Sequence, residues 1–531
     1  MNSPAAYGRV IYAGWVLLRE GVIASLPTEG LWPPLTTLHA LAIRMTRRSA
    51  KASSRRDRFV RALEKLGPSY VKLGQFLATR PDVVGTEVAL DLSALQDEME
   101  TFATAIAIAE IQDSLGRPLA DLYSRFDEPI AAASIAQVHP AEIQVHPAEI
   151  RNAPGEREKV AVKVIRPGIR RRFQRDLQTF YLVAHLQERF VPGARRLRPV
   201  EVTRTLEQTT KIEMDLRLEA AALSELGENT QNDPGFRVPR VDWERTGRDV
   251  MTMEWIDGIK MSDIAGLKAA GHDLDNLANV LIQSFLRHTL RDGFFHADMH
   301  QGNLFVDAQG TIVAVDMGIV GRLGKRERRF LAEILFGFIR RDYQRVAEVH
   351  FEAGYVPAYH SVASFAQALR AIGEPIHGQS AETISMARLL TLLFEVTELF
   401  EMQTRPELIM LQKTMVVVEG VSRSLNPRFN MWKAAEPVVS EWIRHNLGPA
   451  HLLSDARDGL KALVHLAEQA PDLAARAEVL SRQLEVMAEE GLRLDDATTQ
   501  KIGAATARRG SAKLALWILA VAAVVIAWQL G

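Results

Sequence analysis

Apolar and polar positions follow a helical period from residue 59 to about residue 121, with breaks at Gly67-Pro68, Arg80-Pro81 and Gly116-Arg117-Pro118, and predict three or four short helices. Between residues 126 and 168 the pattern changes to short β-type runs at 135–139 and 160–165, the second closed by the turn signal Arg166-Pro167-Gly168. The helical period returns over 169–228, and VMTMEW at 250–255 is an apolar strand entering an Asp257-Gly258 turn. Beyond residue 260 amphipathic helices run to about residue 500, interrupted over 294–320 by short apolar strands alternating with acidic and glycine-containing turns. The pattern is α+β, a small α/β lobe in a mostly helical chain. Its 531 residues exceed what one hydrophobic core usually serves.

The two ends differ. Residues 10–18 form an apolar stretch too short to span a membrane, followed by Arg19 and Glu20 instead of a small-residue cleavage site. From residue 514 to residue 530 only Gln529 is polar, Trp517 and Trp528 lie near the two ends, and Arg508, Arg509 and Lys513 precede the run. This predicts a transmembrane anchor over 511–531, a single pass through the inner (cytoplasmic) membrane with the body on the cytoplasmic side. Residues 41–61 carry Arg44, Arg47, Arg48, Lys51, Arg55, Arg56, Arg58 and Arg61 against Asp57 alone. Such a run reads either as a solvated linker or as a surface for anionic lipid head groups.

QVHPAEI at 137–143 recurs letter for letter at 144–150. An odd-numbered insertion within a strand would exchange its buried and exposed faces, so the extra copy is expected to lengthen a hairpin loop. Composition adds two exclusions. With 64 Lys and Arg against 65 Asp and Glu the formal charge is -1, which gives no global reason to expect nucleic acid. The absence of cysteine removes disulfides, thiolate metal sites and cysteine nucleophiles together.

The chemistry concentrates in HADMHQGN at 296–303, followed by Asp316-Met317-Gly318 at the end of an apolar strand. Kinase-type phosphoryl transfer uses an Asp on the catalytic loop, here Asp298, an Asn five residues on as a magnesium ligand, Asn303, and a further magnesium-binding Asp at a strand end, Asp316. Their hard oxygens suit an ion that keeps several waters and bridges phosphates. VAVKV at 160–164 supplies the strand lysine, Lys163, which in kinases reaches the α and β phosphates and pairs with a helical Glu. In KIEMDLRLE at 211–219, Asp215 and Glu219 would share one helix face while Glu213 points elsewhere, which makes Glu219 the candidate partner. Where a kinase carries a glycine-rich cover this chain reads Ala131, Ala132, Ala133 and Ser134, a stiffer loop less suited to wrapping a γ-phosphate. His296, Asp298 and His300 also fit a metal triad, but the loop is already explained by the kinase pattern. Leucine and methionine stripes such as residues 389–410 read as core packing.

PIAAASIAQVH, VAVKVIRPG, Glu213-Met214-Asp215 with the later Glu219, VMTMEWIDG, HADMHQGN with DMG, and Lys72-Leu73-Gly74-Gln75 together resemble the UbiB (AarF) family of atypical protein-kinase-like proteins, in unbroken order from about residue 60 to residue 320. The resemblance implies a bilobal protein-kinase-like fold whose KxGQ helix covers the cleft, with Lys72 and Gln75 facing Glu213 and Asp215 in a regulatory role. It implies ATP or ADP with Mg2+ as ligands, Asp298 as base, Lys163 and Glu219 as the phosphate-side ion pair, and Asn303 and Asp316 on the metal. It implies support of ubiquinone biosynthesis as a membrane-associated kinase or ATPase, or as a catalytically weak nucleotide-binding scaffold. The partners it implies are membrane lipid, isoprenoid quinone precursors and quinone-biosynthesis enzymes, and it leaves room for a homodimer. The chain departs from kinases in Met317, where they carry Phe. The expected division is a basic membrane-proximal segment (1–58), the KxGQ helical extension (59–125), an N-lobe with the alanine loop (126–258), a C-lobe with the catalytic and magnesium loops (259–450), a helical tail (451–510) and the anchor (511–531).

Overall fold

Where the chain is helical and where it turns to sheet follows from its breakers. Helix α1 (Pro4–Arg19) is succeeded by α2 (Arg55–Leu66), α3 (Pro68–Ala78), α4 (Pro81–Val84), α5 (Thr86–Leu92), α6 (Thr104–Leu115) and α7 (Leu119–Leu122). Each predicted break is present: Gly67 at φ 100 ends α2, Pro81 opens α4, and Gly116 at φ 65 ends α6 in the left-handed region. Gly85 at φ 81 adds a break that the pattern did not predict. The computed structural model describes residues 4–25, 43–47, 53–144, 157–378 and 396–447, with short gaps inside these ranges.

Helices α1, α2, α3 and α5 close around Ala13, Val16, Phe59, Leu63, Val71 and Leu92. A Cβ on Gly74 would stand 2.4 Å from Leu95 and 2.6 Å from Leu63, so α3 reaches its neighbours only with bare backbone at that position. Part of the basic run is folded into this bundle. Arg55 binds Glu87 and Asp91, and Arg47 and Lys65 converge on the buried Glu20.

The first sheet holds β1 (Arg125–Phe126), β2 (Ala131–Ala132), β3 (Ala136–Gln144), β4 (Arg157–Ile165), β6 (Val241–Asp242) and β7 (Val250–Glu254), with β5 (Phe236–Arg237) set in a second sheet. Its order is β1-β3-β4-β7-β6 with β2 on β3, antiparallel throughout. Strand β3 uses the first QVHPAEI copy and Gln144, which pairs with Arg157; the rest of the second copy, 145–150, on which the expected loop lengthening falls, lies outside the described residues. Helices α8 (Ile169–Phe190), α9 (Pro199–Glu213) and α10 (Leu216–Thr230) separate β4 from β5.

The second sheet has the order β5-β11-β10-β8, from β8 (Gly258–Lys260), β10 (Leu304–Asp307) and β11 (Ile312–Ala314), and β9 (Phe294–His296) pairs with β12 (Val320–Arg322) in a third. Around them pack α11 (Ile264–Ala269), α12 (Leu274–Arg287), α13 (Lys325–Arg340), α14 (Tyr343–Glu352), α15 (Val362–Gly378) and α16 (Pro406–Leu425), followed by α17 (Met431–Leu447). A π-helical turn at His288–Asp292, closed by Gly293 at φ 67, delivers the chain from α12 into β9. Ser440–Val521 clusters as a second unit, of which residues 440–447 are described. Among the described residues no helix is long and apolar enough to cross a membrane, and the expected anchor over 511–531 lies outside them, as do the tail over 451–510 and most of the stripe over 389–410.

Candidate active site

The period of two along β4 decides what Lys163 faces. Val160, Val162 and Val164 are buried with Ala107 and Ile111 of α6 and with Val250. Lys163 therefore projects from the other face of the strand. There its Nζ lies 2.7 Å from Glu219 Oε1 and 3.2 Å from Asp316 Oδ2. Burial works against the Lys163 ammonium, but Asp316 and Glu219 hold its pKa above the ordinary lysine value. Burial pushes the Glu219 carboxyl up against the pull of Lys163. Asp316 keeps 40% of its side-chain surface, and against partial desolvation Lys163 and the Gly318 amide bring its carboxyl down to about 2.

Glu219 reaches this point by a route that differs from the expected helix face. Helix α9 ends at Glu213, and Asp215 starts a new helix, α10, by accepting a hydrogen bond from the Arg217 backbone amide. The carboxylate of Asp215 also holds the Arg217 guanidinium at 2.7 Å. Asp215 and Glu219 thus do not share a face of one continuous helix; Asp215 is a cap and Glu219 sits in the first turn beyond it. Glu213, its side chain 4% exposed, pairs instead with Lys72 of α3, Nζ to Oε2 at 2.6 Å. The resemblance implies Lys72 and Gln75 facing Glu213 and Asp215; the structure joins Lys72 to Glu213, while Asp215 holds Arg217.

On the opposite wall, β9 leads into His296, Asp298 and Asn303. The fully buried His296 accepts the Asp298 backbone amide on Nδ1 at 3.2 Å, and burial lowers its pKa, which keeps the ring neutral. Asn303 donates from Nδ2 to the Asp298 carbonyl at 3.2 Å, which leaves its side-chain oxygen for a cation. The Asn303 carbonyl accepts from the Val315 amide at 2.8 Å, so the catalytic loop is tied to the strand that ends at Asp316. Asp316 sits at φ 80, a left-handed conformation that costs a non-glycine residue roughly 1 kcal/mol or more and is typical of functional positions. Its Oδ1 accepts from the Gly318 amide at 3.0 Å.

The alanine loop is a fastened hairpin. Ala131 and Ala132 pair with Val138 and Gln137. The amides of Ile130 and Ala133 are spent on Val138 and Ala136 carbonyls at 2.9 and 2.7 Å. From outside, the Met99 amide donates to the Ala132 carbonyl at 2.9 Å and Arg166 Nε to the Ala133 carbonyl at 2.9 Å. Buried Gln137 exchanges two hydrogen bonds with the Phe102 backbone. Ser134 is fully buried at the tip.

The donor set fits a magnesium nucleotide. Asp316 and the side-chain oxygen of Asn303 are hard oxygens, few enough to leave coordination sites for phosphate and water. Among the described residues no group of three or more His, Cys, Asp or Glu is gathered as a metal cage. The Nδ1 atoms of His296 and His300 are already acceptors for the Asp298 and Gly302 amides, which argues against a zinc triad with Asp298.

Comparison with known proteins supplies the lineage. The ABC1 atypical kinase-like domain matches residues 94–350, and the UbiB helical domain matches 369–430. A probable protein kinase UbiB of Marinobacter nauticus is 38% identical over 470 residues, 88% of this chain and 84% of its own length. Another, from Pseudomonas fluorescens, is 37% identical over 450 residues, 84% of this chain and 82% of its own. The chain belongs to the UbiB family of atypical kinase-like proteins. A solved structure, the Rv3197-erythromycin complex from Mycobacterium tuberculosis, covers 76% of this chain and 98% of its own at 21% identity and a TM-score of 0.47, a loose likeness.

Within this UbiB frame, the strand lysine, the helical Glu and both loops lie in the kinase-like match, whereas α16 belongs to the UbiB helical domain. Three long-range contacts, one of them at the site, have no signature in the spacing of the sequence. Arg322, six residues after Asp316, reaches back to Glu225 of α10 at 2.7 Å. Arg291 holds the buried Asp233 at 2.6 Å, which ties the end of α10 to the π-helical turn. Lys413 of α16 approaches Asp298 at 3.8 Å. Each joins residues far apart in the chain, so only the folded packing brings them together.

Proposed function

We propose that this UbiB-family protein binds Mg-ATP or Mg-ADP in the cleft between Lys163 and Asp298, and acts as an atypical kinase or ATPase in support of ubiquinone biosynthesis. The observation that carries this reading is the Lys163 ammonium bridging Glu219 at 2.7 Å and Asp316 at 3.2 Å. It aligns a phosphate-binding cation with a metal-binding carboxylate before any ligand arrives. When bound, the magnesium nucleotide supplies the phosphoryl group and the divalent charge that screens it. Asn303 and Asp316 would hold the metal, Lys163 would orient the phosphates, and Asp298 would take the proton of the acceptor, which is water or a substrate hydroxyl.

Ala131, Ala132, Ala133 and Ser134 would form the phosphate cover. Its hairpin amides are partly consumed, which favours slow, regulated turnover over rapid protein phosphorylation. Helix α3, held by Lys72 to Glu213 at 2.6 Å, would act with Gln75 as a fixed cover where a peptide would otherwise lie. Membrane association is supported by the apolar run at 514–530 and by the exposed Ile11, Tyr12 and Trp15 of α1, an interfacial type of surface. Partners in this reading are membrane lipid, isoprenoid quinone precursors and enzymes of quinone synthesis. The test is magnesium-dependent phosphate release from ATP by protein in liposomes, with and without a phenol resembling a quinone head group. Turnover that falls by about 10³-fold in Asp298→Asn is the expected result. Undiminished turnover in that variant would remove Asp298 from the chemistry, and nucleotide binding without turnover under every condition would leave a scaffold.

A further inference from the structure

The reacting end of the cleft lacks a permanent cation of its own within the catalytic loop. Between Asp298 and Asn303 stand Met299, His300, Gln301 and Gly302, none of them lysine or arginine. Lys163 is already committed to Glu219 and Asp316 and its side chain is 8% exposed. Phosphoryl transfer spreads negative charge over three equatorial oxygens, and enzymes commonly meet it with a basic side chain brought from another segment. In this fold such a side chain is present. Lys413 Nζ lies 3.8 Å from Asp298 Oδ1, and His300 Nε2 lies 3.7 Å from the other oxygen, Oδ2.

The placement of Lys413 is fixed by its neighbours on α16. Thr414, the next residue and 1% exposed, shares its hydroxyl proton between the Met410 carbonyl of its own helix at 2.8 Å and the Ala297 carbonyl at 2.9 Å, which links the helix to the residue immediately before Asp298. Three turns on, the Ser424 hydroxyl accepts from Gln301 of the same catalytic loop at 2.6 Å, and Ser422 donates to the Ala278 carbonyl of α12 at 3.3 Å. The backbone under Lys413 is therefore anchored on both sides of the loop, while its side chain stays 40% exposed beside a 31% exposed Asp298. That combination suits a group that exchanges a carboxylate for a phosphate oxygen.

We propose that Lys413, supplied by the UbiB helical domain, is the residue that engages the terminal phosphate of the bound nucleoside triphosphate. This inference rests on the nucleotide-binding reading given above. In the transfer step the bond from the γ-phosphorus to the β,γ-bridging oxygen breaks and its electron pair leaves with the diphosphate. A bond from the acceptor oxygen to the γ-phosphorus forms, and the acceptor's proton passes to Asp298. Lys413 stays protonated throughout and contributes charge only. The helical domain would thus complete the active site and distinguish triphosphate from diphosphate.

Calorimetric titration of the full-length protein with Mg-ADP and with a non-hydrolysable Mg-triphosphate analogue tests this without relying on turnover. Lys413→Met is expected to weaken the triphosphate analogue at least about fivefold while ADP affinity stays within about twofold, and Lys413→Arg to restore the triphosphate affinity. Where phosphate release is measurable, kcat in Lys413→Met is expected to fall about 10²-fold. Thr414→Val, which loosens the anchor and keeps the charge, is expected to show a smaller loss with the same preference, and it provides the test if Lys413→Met does not fold. Equal affinities for both ligands across the variants, or parallel loss of both, would overturn the role of Lys413 alone. Failure of the wild type to bind either nucleotide would overturn the nucleotide-site reading and this inference with it.

Discussion

On the sheet side of the cleft, Lys163 and Glu219 keep 8% and 5% of their side-chain surface and stand 2.7 Å apart. On the catalytic-loop side, Asp298, His300 and Lys413 keep 31%, 48% and 40%, and the closest approach between them is 3.7 Å. The first group has surrendered its water and is stabilised by mutual attraction, so folding itself sets its geometry. The second keeps its water and its freedom, and a bound phosphate would complete it. Under the proposed function, nucleotide recognition would be built into the folded state, whereas the chemistry would wait for the ligand. The Lys72–Glu213 pair, 13% and 4% exposed, belongs with the first group.

The largest expected effect separates the two groups by stability. Glu219→Ala leaves a buried ammonium with half its compensation and is expected to lower unfolding free energy by about 3 kcal/mol. Asp298→Ala removes a half-exposed carboxylate and is expected to stay within about 0.5 kcal/mol of wild type. Urea unfolding of both variants checks this, and equal losses would erase the contrast.

A smaller effect concerns the cover. Gly74→Val drives branched carbon into Leu63 and Leu95 and is expected to cost about 2 kcal/mol while leaving the Lys72–Glu213 pair chemically intact. Proteolysis confined to residues 55–92 at lower denaturant would follow. Unchanged stability would mean that α3 is not held by this packing.

The smallest effect is in pH. Asp316 titrates at about 2 in the folded protein against about 4 for an ordinary aspartate, so the stability it contributes is complete above pH 4 and is lost only as pH falls from there toward 2. The melting difference between wild type and Asp316→Asn is therefore expected to shrink as pH falls through 4 toward 2. A difference that stays constant as pH falls through that range would contradict the ion pair.

Much of this site was legible before the fold was known, because its parts are local. HADMHQGN and DMG are turn chemistries at strand ends, and VAVKV is a short apolar strand that carries its lysine. The structure brings Lys163 to Glu219 by a route other than the expected one, since the helix assumed to run through Asp215 stops there and Asp215 caps the next one. The break is hard to read because KIEMDLRLE contains neither proline nor glycine, and tertiary bonds such as Leu216 to the Arg248 carbonyl enforce it. The tie from Met99 to the alanine hairpin, the Arg322–Glu225 pair and the approach of Lys413 to Asp298 join residues 33, 97 and 115 positions apart or thereabouts, as their numbers show. No periodicity encodes such contacts; they exist only once the core has packed.

On the proposed function, Lys163, Glu219 and Asp316 form a nucleotide site organised before the ligand arrives. Titration of Mg-ADP into wild type and Asp316→Asn, at matched folding judged by melting temperature, tests it most directly. Saturable one-site binding by the wild type that weakens at least about 10²-fold in the variant, a loss of about 2.7 kcal/mol, is the predicted result. Affinity undiminished in Asp316→Asn would contradict it.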